Sequence, residues 1–148
     1  MKTLLTLTLL ISLSASGQEW YKITGNDVAV IATQALAGSA DAVNQMIIHH
    51  RYRIDEPFWN NKTSLQRKYK SWPEDKSAAY PFSKNLLAWT TDGYHLTRFI
   101  DRTATLATIG ITAGDWSRWP KKDRWKFIAK KIVLSAVANR AMFLIIYK

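Results

Sequence analysis

The chain has 148 residues, 21 Lys and Arg against 11 Asp and Glu, and no cysteine. That length suits one domain, and the lack of cysteine excludes disulfides, thiolate metal sites, cysteine nucleophiles and a lipid-modified cysteine. A formal charge of +10 calls for a polyanionic partner. Given the exported start described next, anionic headgroups of a lipid bilayer or other envelope components are expected, and nucleic acid is not.

Residues 1–17 read as a signal peptide. Met1 and Lys2 give a short positive start, an apolar stretch follows, and Ala15, Ser16 and Gly17 supply small residues for cleavage before Gln18. An uncleaved anchor is the alternative, but the stretch is short against the roughly 20 apolar residues of a span. Residues 18–148 are then expected to form a single helical domain.

Asn26 or Asp27 can cap a helix through a side-chain oxygen. From there the alanine-rich, proline-free run predicts a helix over 27–52. Gly38 with Ala42, and Ala35 with Ser39, are small residues four apart that let two helix backbones approach closely. Residues 55–82 hold three prolines together with Phe58, Trp59, Tyr69, Trp72, Tyr80 and Phe82. A disordered linker would be poor in aromatics, so an ordered aromatic loop with one helical turn near Ser64 to Tyr69 is expected. Ser83 can cap a second helix over 84–112, with Gly93 marking where it could break.

A basic, Trp-rich turn over 115–126 follows, with Trp116, Arg118, Trp119, Lys121, Lys122, Arg124, Trp125 and Lys126 placed for contact with a membrane surface. An apolar helix over 122–147 closes the chain, with Lys131, Ser135 and Asn139 on one face. No strand pattern stands out, so the class is all-α: a small bundle of about three main helices with a long ordered aromatic loop. The last two helices form a hairpin that either spans a membrane or lies in its interface. Arg140, near the middle of the last helix, is costly in lipid unless paired.

Each helix carries one polar stripe. Asp41, Gln45 and His49 share one face of the first helix, and Asp92, His95 and Arg98 share one of the second. Two readings stay open. Asp41, His49, Asp92 and His95 could ligate a divalent metal, the Asp-x-x-His spacing resembling the Glu-x-x-His of di-metal bundles; Asp92 with His95 could also act as an acid/base pair. Alternatively, these groups join Gln45, Arg98, Arg102, Asn139 and Arg140 in a polar interior that fixes helix register. The leading functional expectation is a structural or interaction protein of the cell envelope, in contact with the bilayer and with other envelope proteins. A membrane-bound metal-dependent enzyme or metal-binding protein, and a soluble periplasmic binder of polyanions, are the alternatives.

The sequence around His49 and Tyr52, Phe58-Trp59-Asn60, Lys68-Tyr69-Lys70 and Thr91-Asp92-Gly93-Tyr94-His95-Leu96 resembles a family of small exported proteins from Gram-negative bacteria and their phages. The resemblance covers most of the chain after the signal. It implies a membrane-associated helical protein and brings no assigned activity.

Overall fold

The computed structural model describes residues 19–49, 58–60 and 66–148. Three helices dominate them: α1 (Gly25–His49), α2 (Gly93–Trp116) and α3 (Arg124–Ile146). Residues 1–18, His50 to Pro57 and Asn61 to Leu65 lie outside the described residues, and with them the expected signal peptide and the last turn expected for the first helix.

Thr24, rather than Asn26 or Asp27, opens α1. The backbone N–H and hydroxyl of Thr24 both donate to Asp27 Oδ2 at 2.9 Å, and Asp27 N–H donates back to Thr24 Oγ1 at 3.2 Å. This is a reciprocal capping box, with the carboxylate three residues into the helix satisfying donors that helix geometry leaves open.

The second helix begins later than its apolar pattern indicates. Residues 81–87 are turns, and Ser83 caps nothing: its buried hydroxyl donates to the Lys68 carbonyl at 2.8 Å. Asp92, in extended conformation, is the true cap, accepting from His95 N–H at 2.9 Å. Gly93 is therefore the first residue of α2 and not a weak point within it. A Cβ there would run into the indole ring of Trp59, so the aromatic segment docks on the helix start only because no side chain stands in the way. The helix then runs on to Trp116, four residues past the expected end.

A short antiparallel hairpin is the main departure from an all-helical chain. β1 (Tyr69–Ser71) pairs with β2 (Asp75–Ala78), with Tyr69 opposite Ala78 and Ser71 opposite Asp75. Strands of three and four polar, mostly exposed residues show no alternation to read. The Tyr69 and Trp72 rings stack at 5.1 Å, Lys76 lies over Trp72 at 5.0 Å and Lys84 over Tyr69 at 5.3 Å.

α1 is the centre of the bundle. It packs along both α2 and α3, whereas α2 and α3 barely touch. Polar contacts set the register. Asn26 bonds Asp115, Gln34 bonds Thr108 and Asn44 bonds Thr97, so α1 and α2 are antiparallel. Asp27 meets Lys130 and Gln34 meets Asn139, so α1 and α3 run in the same direction. Among the described residues the buried apolar side chains are few: Trp20, Val30, Ile47 and Phe127 with alanines 37, 40, 42 and 104. Small residues along α1 let its neighbours come close, and close helix packing takes the place of a large apolar core.

Candidate functional site

Two features set this molecule apart from a plain bundle: a buried ion cluster at one end, and an open groove beside it. The cluster forms where the start of α1 meets the end of α2 and the start of α3. Lys130 Nζ donates to Asp27 Oδ2 at 2.5 Å and to the Lys22 carbonyl at 2.7 Å. Lys131 Nζ lies 2.6 Å from Asp27 Oδ1 and 3.4 Å from Asp115 Oδ2. Asn26 holds the other Asp115 oxygen at 2.7 Å. Two carboxylates thus balance two ammonium groups. Burial pushes the Asp27 carboxyl upward, but the ammonium groups of Lys130 and Lys131, with Thr24, outweigh it and hold the group at about 2.

The groove lies between α2 and α3, which diverge over α1, and has a volume of about 930 Å³. Ile109, Trp116, Ile128 and Ile132 form its walls; Gln34, Thr108 and Asn139 form a polar floor, with Lys131 at one end. Thr108 is tied to Thr33 at 2.7 Å and to Gln34 at 2.9 Å. Apolar walls over a few fixed polar groups are the composition of a site for an amphiphilic ligand. Beyond the groove, Leu106 on α2 and Val137, Leu144 and Ile145 on α3 are each at least half exposed.

The turn between α2 and α3 carries the predicted surface residues, and they divide. Trp119 is stacked on buried Phe127 at 5.1 Å. Trp116 lines the groove beneath the Arg124 guanidinium, 4.9 Å from its ring centroid. Lys126 is half-buried and paired with Asp123 at 3.1 Å. Arg118, Lys121, Lys122 and Trp125 are exposed. Lys130 and Lys131, which enlarge the basic run in the sequence, are spent inside the ion cluster.

The proposed four-residue metal set separates. Asp92 and His95 are together, with His95 Nδ1 2.8 Å from Asp92 Oδ2. Asp41 instead faces Asp101; burial and then the like charge of Asp41 push the Asp101 carboxyl up, against Arg98 and Arg102. His49 is exposed at the end of α1. Among the described residues no group of three or more His, Cys, Asp or Glu could hold a metal ion. Of the residues expected in the polar network, Asn139 bonds Gln34 at 3.4 Å, and Arg98 and Arg102 act on Asp101. Arg98 lies over Tyr94 and Arg140 over Phe143, while Arg102 is exposed and Gln45 half-buried. The network runs instead through Thr33, Gln34, Asn44, Thr97 and Thr108. Asp27 and Gln34 lie seven apart, near one line of α1, and Asn44 stands about 80° round the helix from Gln34.

No helix among the described residues is long and apolar enough to cross a membrane, which removes the spanning form of the hairpin; buried Lys130 and Lys131 on α3 give the physical reason. Compared with known proteins, the chain matches no family model, no curated protein and no solved structure.

Proposed function

We propose that the protein is an exported component of the cell envelope that rests on an anionic membrane surface. Arg118, Lys121, Lys122 and Trp125 would sit at the headgroups, and the apolar flanks of α2 and α3 would enter the acyl boundary. The observation that carries this reading is the exposure of large apolar side chains on the two helices that a basic turn joins: Leu106 is 67% exposed, Ile109 58% and Ile132 61%. Large apolar side chains left uncovered on two helices call for a cover, and the basic groups and tryptophan of the turn favour anionic lipid in that part. The resemblance described above agrees with this reading.

Sedimentation with phosphatidylglycerol-containing vesicles tests it. Binding is expected there and not to phosphatidylcholine alone. Replacing Lys121 and Lys122 together by Ala should weaken it by roughly 30-fold, at about 1 kcal/mol for each basic group. Trp125→Ala should weaken it further. Equal binding to both vesicle types, or none to either, would count against a headgroup contact. Export is tested separately, by fractionating expressing cells and finding Gln18 at the N-terminus of the envelope form.

A further inference from the structure

A second constellation lies away from the groove and has no part in the membrane reading. Lys68, His95 and Asp92 stand in a line. Asp92, only 1% exposed, accepts from Thr91 Oγ1 at 2.7 Å and from His95 N–H at 2.9 Å, so its carboxylate cannot swing. Facing that carboxylate at 2.8 Å, His95 Nδ1 is the donor. The lone pair of the neutral ring then falls on Nε2, which lies 2.5 Å from Lys68 Nζ. Lys68 is fixed from behind: its carbonyl accepts from Ser83 Oγ at 2.8 Å and from Ala79 N–H at 3.0 Å. Burial holds the Lys68 ammonium below the ordinary lysine range, with the Asp92 charge pulling the other way. Lys68 is half-buried and the His95 side chain 26% exposed, so a small molecule can reach both.

We propose that Lys68 is a nucleophilic amine, with His95 its proton acceptor and Asp92 the positioning residue, and that the site takes a small aldehyde as a reversible imine. A partly desolvated lysine beside a base oriented by a third group is the arrangement that nucleophilic amine chemistry needs. The Lys68 ammonium passes one proton to His95 Nε2, and the freed amine forms an N–C bond to the carbonyl carbon. The C=O π pair moves to oxygen, which takes a second proton from the attacking nitrogen. His95 returns its proton to that oxygen as the C–O bond breaks. One water leaves and a protonated C=N bond remains; nothing is oxidised or reduced.

The test is labelling of the full chain with limiting propanal and cyanoborohydride at neutral pH, followed by mass mapping of every lysine. Lys68 is expected to be alkylated about a hundredfold faster than Lys70 and Lys76 on the same hairpin, the low end of what general base assistance supplies. His95→Asn should return Lys68 to the surface rate with the helical circular dichroism unchanged. Asp92→Asn keeps the helix cap but loses the fixed tautomer, which nitrogen NMR of the His95 ring reads directly. Labelling of Lys68 at the rate of Lys70 and Lys76, or fast labelling that survives His95→Asn, would overturn the proposal.

Discussion

Asp27→Asn is expected to destabilise the protein by about 3–5 kcal/mol, the cost of removing one partner from a buried charge pair. The carboxylate does three things at once. It closes the capping box with Thr24, pairs with Lys130 and lies against Lys131. With asparagine, two ammonium groups that are 9% and 2% exposed lose the charge they share and keep Asp115 and the Lys22 carbonyl. Urea denaturation followed by circular dichroism measures the loss. A change under about 1 kcal/mol would mean that water reaches the cluster, as for a surface pair.

Acid adds an independent check on the same residue. Its folded carboxyl sits at about 2 against an ordinary 3.8, so the folded state binds its proton less readily than the unfolded chain does. The stabilisation from this group is complete above the ordinary value and is lost as pH falls from about 4 toward 2. Wild type should therefore lose stability across that window, and Asp27→Asn should lose less.

Asp27 also marks the limit of what the sequence discloses. Helical class, the number of main helices and the position of α3 were legible, because long periodic apolar runs without proline allow little else. The start of α2 was not. Ser83 has the chemistry of a cap, and only its engagement by the Lys68 carbonyl shows why the helix waits for Asp92. The hairpin was hidden because its strands are too short and polar to alternate. The charge cluster was hidden for a different reason. Lys130 and Lys131 follow a basic run that reads as facing a membrane surface, and Asp27 reads as a helix cap. All three are instead buried, and their meeting across more than a hundred residues follows only once α1 and α3 run alongside each other. The Asp92–His95 pair was legible from its spacing; its third member, Lys68, was not, because the turn that brings it there is set by loop contacts.

Gly38→Ala and Gly110→Ala should move stability in opposite directions. Both glycines lie inside helices, where alanine is intrinsically better by about 1 kcal/mol. At Gly110 nothing lies within 4 Å of an added Cβ, so that full gain should appear as a higher unfolding midpoint. At Gly38 the added carbon would meet the Asn139 backbone, with the carbonyl carbon 2.8 Å and Cα 2.9 Å away and the oxygen nearer still. Backbone cannot rotate aside, so α1 and α3 must separate, and a net loss of about 1–3 kcal/mol is expected in spite of the better propensity. Separation would also lengthen the Asn139–Gln34 bond, already 3.4 Å, and open the polar floor of the groove. Gly38→Ala should therefore weaken vesicle binding only if the groove, and not the basic turn alone, holds lipid. If Gly38→Ala instead stabilises the chain as Gly110→Ala does, α1 and α3 are not in contact at this level, and the small residues of α1 serve some purpose other than close packing.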